Sequence, residues 1–85
     1  MSSAHPDHKT SFLRNYELYE RAKQRGEVCQ SLAVQALAQI HHISDVPAHA
    51  DVEANVQVMH DLLGPLHTEA DIREKYDQLR KDAGI

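Results

Sequence analysis

The 85-residue chain reads as all-α, and three observations carry that reading. No run alternates apolar and polar residues over the length of a strand. From Phe12 to Ile43 there is no proline, and Ala, Leu, Gln and Glu are abundant, as in a helix interior. Beyond Ile43, two shorter apolar stripes recur at helical spacing, each bounded by capping or breaking residues. The expected architecture is a three-helix chain, with one long N-terminal helix over about 11–43 and two shorter helices over about 47–63 and 69–83. Residues 1–9, polar and broken by Pro6, read as a flexible tail, and 10–85 as a single helical domain.

Thr10 or Ser11 can cap the first helix. Its one interruption is Gly26, which follows Lys23 and Arg25 and has the form of a helix C-terminal signal. The spacing argues for continuity instead. Phe12, Tyr19, Gly26, Ala33 and Ile40 form an unbroken seven-residue series, and Ala22, Cys29, Ala36 and Ile43 form its companion three residues on. A break would ordinarily reset that phase. Ser44 or Asp45 can then cap a second helix with Pro47 in its first turn. Its stripe is Val52, Val56, Met59 and Leu63, widened by Val58 and Leu62, and Gly64-Pro65 ends it. The third helix opens on Thr68-Glu69-Ala70-Asp71, close to a capping box, and stops at Gly84. It buries a thin face of Ile72, Tyr76, Leu79 and Ala83. Its outer face offers the acid-first pairs Glu69–Arg73, Asp71–Lys75 and Asp77–Lys81.

The small residues of the first helix make a seam. Ala22, Gly26, Cys29, Ala33 and Ala36 share one face, with Phe12, Tyr16 and Tyr19 at one end and Ile40 at the other. Small side chains let a second helix axis approach closely. The occupant is either a later helix of the same chain or the same helix of a second copy. The length of the first helix favours the second copy, so a homodimer through these nine residues is expected.

Net charge is −4, unfavourable for a nucleic-acid binder, and its distribution is uneven. Residues 1–25 carry +2, residues 73–85 carry +1, and the 47 residues from Gly26 to Ile72 carry −7 with no Lys or Arg. Carboxylates there lack basic neighbours in sequence, whereas the third helix pairs its own. Asp51, Glu53 and Asp61, around Val58 and Leu62, are therefore the expected partner-binding surface, complementary to a basic or mixed basic–apolar patch on another protein. No apolar run exceeds three residues, so no membrane contact is expected. One cysteine fits a reducing, cytoplasmic setting.

Seven histidines raise a metal or pH-sensing alternative. His41 and His42 end one helix and His49 begins the next, with Asp45 between them, yet no spacing matches a ligand motif. Protonating every imidazole would move the formal charge from −4 to +3. His5-Pro6-Asp7 spells the tripeptide of the J-domain co-chaperones, but no basic helix precedes it, so three residues carry no assignment. Cys29, among alanines on an apolar face, reads as a packing cysteine. Helical enzymes of this size, such as the chorismate mutases, hold anionic substrates with inward cations that the middle of this chain lacks. No GxGxxG, P-loop or HExxH occurs. The expected function is that of a small, non-catalytic regulatory or adaptor protein without a cofactor. A histidine-based sensor is the alternative, and a small helical enzyme stands behind it.

Overall fold

The computed structural model describes residues 8–27, 29–45 and 51–85. They form four helices, α1 (His8–Gln24), α2 (Gln30–Ser44), α3 (Val52–Leu63) and α4 (Glu69–Ala83), with no strand among the described residues. The all-α expectation therefore holds, and the expectation of three helices does not.

The long first helix is two helices. Gly26 adopts φ +79°, its N–H donates to the Lys23 carbonyl at 2.9 Å, and the Glu27 N–H donates to the Ala22 carbonyl at 2.9 Å. These paired bonds are a Schellman ending, which needs a left-handed residue that glycine adopts without steric cost. No heavy atom comes within 4 Å of where a Cβ on Gly26 would lie. The glycine therefore serves the turn and not a close helix crossing. The seven-residue series survives the break because α1 and α2 fold back on each other, so both stripes face one core. At the open end of this hairpin His8 Nδ1 bonds Gln39 Oε1 at 2.9 Å.

That geometry also changes what covers the small-residue seam. Phe12, Tyr16, Tyr19, Ala22, Ala33, Ala36 and Ile40 are all 0–4% exposed within the single chain. All but Ala22 belong to one cluster with residues such as Leu37, Met59, Ile72, Tyr76 and Leu79. The remaining two seam residues lie elsewhere, Gly26 in an exposed turn and Cys29 half-buried at the start of α2. The seam is thus split between two helices and taken up by the chain's own elements. Ala33 and Ala36 admit neighbours closely because α2 is the central element, packed on α1, α3 and α4.

Local chemistry sets the other boundaries. Asp45 is the left-handed C-cap of α2 (φ 59°) and does not start α3. The α3 N-cap is Asp51, whose carboxylate accepts from the Ala54 N–H at 3.1 Å. Residues 46–50, including Pro47 and His49, lie outside the described residues. The same is true of the expected tail as far as Asp7. Thr10 and Ser11 are inside α1, whose described part begins at His8. The last helix occupies 69–83 as the sequence suggests: Thr68 Oγ1 accepts from the Asp71 N–H at 3.0 Å, and a second Schellman ending forms at Gly84 (φ +82°).

Across the core, Gln30 Nε2 donates to the Ala83 carbonyl at 3.1 Å, so the start of α2 meets the end of α4. The helices α1 and α4 therefore flank α2 in the same direction. Ser44 Oγ donates to Oδ1 of the fully buried Asn55 at 2.6 Å, fastening the end of α2 to α3. Among the described residues no helix is long and apolar enough to cross a membrane.

Candidate functional site

No Cα of α1 comes within 8 Å of one in α4. Where two parallel helices flank a third with their backbones held apart, their facing side chains border a groove. Here it encloses about 270 Å³. Its floor is aromatic, from Tyr16 and Tyr19, and its walls carry Glu20, Lys23, Asp71, Glu74 and Lys75. The tyrosines belong to a short aromatic run on α1, Phe12 stacking on Tyr16 and Tyr19 tilted against it, with ring centroids 5.5 Å apart in each pair.

Three polar contacts span the gap. Lys75 Nζ lies 3.5 Å from Glu20 Oε2, Lys23 Nζ lies 2.9 Å from Asp82 Oδ2, and the Tyr19 hydroxyl donates to Asp82 Oδ2 at 2.6 Å. Burial pushes the Tyr16 phenol well above its ordinary range, and the charges of Glu20 and, more weakly, Asp71 push it further. The Tyr19 phenol is raised by burial and then by its hydrogen bond to Asp82. Both phenols are thereby held protonated, as hydrogen-bond donors in an electronegative trough.

Asp82 sits in the last turn of α4, where a carboxylate opposes the helix dipole. Burial alone would raise its pKa. The Tyr19 hydroxyl, the Lys23 ammonium and the Gln78 amide outweigh burial and hold it below its ordinary 3.8. A depressed folded-state pKa stabilises the fold fully above the unfolded value, and that contribution is lost as pH falls through the folded value. Asp82→Asn should therefore lower stability by about 1–2 kcal/mol at neutral pH, with the deficit shrinking below 3.8. Urea melts of both proteins at pH 7 and pH 3 check this. Parallel losses at both pH values would show that the carboxylate charge is immaterial.

The partner surface expected from sequence lies elsewhere, on and around α3, and most of it has intramolecular work. Asp51 caps α3. Glu53 forms a two-pronged ion pair with Arg73, one arm being 2.7 Å, which lowers its pKa. It is thus not a carboxylate without a basic neighbour. Asp61 accepts from Gln57 Nε2 at 3.1 Å. Val58 and Leu62 are half-buried against the core. Of the expected α4 pairs, Arg73 reaches Glu69 at 3.7 Å, while Lys75 turns to Glu20 across the groove.

Among the described residues no group of three or more His, Cys, Asp or Glu could hold a metal ion. His8 and His42 meet, but as rings stacked 4.8 Å apart at 4°. Nitrogen lone pairs lie in the ring planes, so parallel rings do not converge on one ion. Cys29 is the N-terminal cap residue of α2 and not a buried packing residue. The backbone of Leu32 and the side chain of Ser31 lower its thiol pKa, as expected at a helix N-terminus.

The groove was missed because its walls are far apart in sequence: Tyr19 and Asp82 are 63 positions apart. The available signals were local. Tyr16, Tyr19 and Glu20 share a face of α1, and Asp71, Glu74, Lys75 and Gln78 share one of α4. No match is found when the sequence is compared with models of known protein families and with curated proteins, or when the chain is compared with solved structures.

Proposed function

We propose that this chain is a small, non-catalytic regulatory or adaptor module that binds another protein through the groove between α1 and α4. The partner presents a basic or mixed basic–apolar surface. The supporting observation is the groove, in which charged walls stand over an aromatic floor and two helices are joined only through side chains. It is small for a cofactor site, which usually occupies roughly 300–1,000 Å³. Its phenols are held protonated, which suits them to donate hydrogen bonds and not to act as nucleophiles. The proposal places no second copy on the small-residue seam, because the chain's own helices occupy it. The stacked His8–His42 pair favours a pH-sensing reading.

The test is photo-crosslinking in two positions. A photoreactive residue replacing Gln78, on the groove wall, should capture one protein that the same residue at Gln57, on α3, does not. That protein, purified, should bind the wild-type chain and lose about tenfold in affinity when Gln78 is replaced by lysine. Capture from Gln57 alone, or binding indifferent to Gln78, would remove the groove from the proposal.

A further inference from the structure

Resting on the docking role just proposed, we infer that the groove receives an arginine side chain of the partner, its guanidinium held between the α4 carboxylates and the tyrosine floor. Charge is the first argument. Among the residues lining the groove, Glu20, Asp71 and Glu74 stand against Lys23 and Lys75, a net of −1. Both lysines are already engaged, Lys75 by Glu20 at 3.5 Å and Lys23 by Asp82 at 2.9 Å. What remains is Asp71, half-exposed and bonded to His67 Nδ1 at 3.0 Å, and Glu74, exposed one helical turn further on. Residues three apart on a helix share a face, so these two carboxylates form a wall that no Lys or Arg among the described residues pairs with, His67 alone bonding Asp71.

Geometry is the second argument. A guanidinium is planar, can accept a carboxylate at two donors, and stacks on aromatic rings, whereas an ammonium is a point charge that keeps its water. The wall presents two carboxylates, and the floor presents only the small exposed part of Tyr16 and Tyr19, which are 3–4% exposed. The volume, about 270 Å³, suits one long side chain reaching in from a partner surface. A neighbouring depression further along α1 shares Tyr16 and Glu20 with the groove but has Leu13, Arg14, Glu17 and Leu63 in place of the α4 carboxylates.

The probe is an acetylated, amidated heptapeptide with one arginine between two leucines, titrated into the isotopically labelled full chain and followed by amide chemical shifts. Versions carrying lysine, glutamine or glutamate at the central position complete the set. Shifts should map to 16–24 and 71–78, with a dissociation constant on the order of millimolar for the arginine peptide. Lysine should bind more weakly, and glutamine and glutamate at least about tenfold more weakly. Glu74→Lys should abolish the preference for arginine over glutamate. Asp61→Lys, an equal charge change on α3, should alter affinity less than about twofold.

Equal binding of the arginine and glutamine peptides in the groove would overturn the inference while leaving the docking role intact. So would an equal loss from Glu74→Lys and Asp61→Lys, which would mark diffuse attraction. Absence of shifts with all four peptides would overturn it as well. Failure of the docking role itself is read separately, from crosslinking that does not depend on the groove.

Discussion

Truncating Phe12 to alanine should cost about 3–5 kcal/mol of folding stability, and the loss should be the same at every protein concentration. Phe12 is 0% exposed in the single chain, stacks on Tyr16 at 5.5 Å, and belongs to a core to which all four helices contribute. Domains of this size hold a net stability of roughly 5–15 kcal/mol, often at the lower end, so one such cavity removes much of it. Were this end of α1 an interface between two copies, the same truncation would chiefly weaken assembly and make the unfolding midpoint depend on concentration. Urea midpoints at two concentrations a hundredfold apart separate the two cases. Leu18→Ala, at a position 43% exposed on the same helix, should change stability by less than about 1 kcal/mol.

The second large effect is expected at Asn55. This amide is completely buried, accepts from Ser44 Oγ at 2.6 Å, and hydrogen-bonds Tyr76 of α4. One side chain therefore ties together three helices. Asn55→Leu preserves volume but deprives the buried Tyr76 hydroxyl and the half-buried Ser44 hydroxyl of this partner, at a cost of about 1–3 kcal/mol. Adding Ser44→Ala to Asn55→Leu should recover part of the loss, because the hydroxyl that has lost its bond to Asn55 goes too. Ser44→Ala alone should destabilise, giving the cycle a coupling energy of about 1 kcal/mol or more. Additive effects, or an Asn55→Leu protein as stable as wild type, would show that the amide does not fasten the helices.

Legibility in the sequence followed the range of the interactions. The last helix could be placed from Thr68 to Gly84 because its caps are made by residues within a few positions of each end. The end of α3 at Gly64 was legible for the same reason. Gly26 shows how local signals can be outvoted. Lys23, Arg25 and Gly26 spelled a helix ending, but the seven-residue series implied continuity, since a hairpin folded onto a shared core preserves the apolar phase. The expected dimer was argued from that continuity, because a helix of some thirty residues seemed too long to be covered by its successors. Asn55 was not legible: an asparagine in a helical stripe looks solvent-facing until Ser44 and Tyr76 are known to converge on it. The groove required the same kind of information, with Tyr19 and Asp82 meeting only after the chain has reversed direction repeatedly.

The missing main-chain contact between α1 and α4 gives the protein a line of weakness. Opening is cheapest where few buried apolar contacts hold two elements together, and along this line the polar links are the Glu20–Lys75 and Lys23–Asp82 ion pairs and the Tyr19–Asp82 bond. By contrast α2 is held from three sides. Amide exchange should therefore be slowest in α2, while the outer turns of α1 and α4 breathe apart as two leaves on a spine. An occupant bridging those leaves would act as a clasp, slowing exchange in both at once, although each leaf makes its main contacts with the spine.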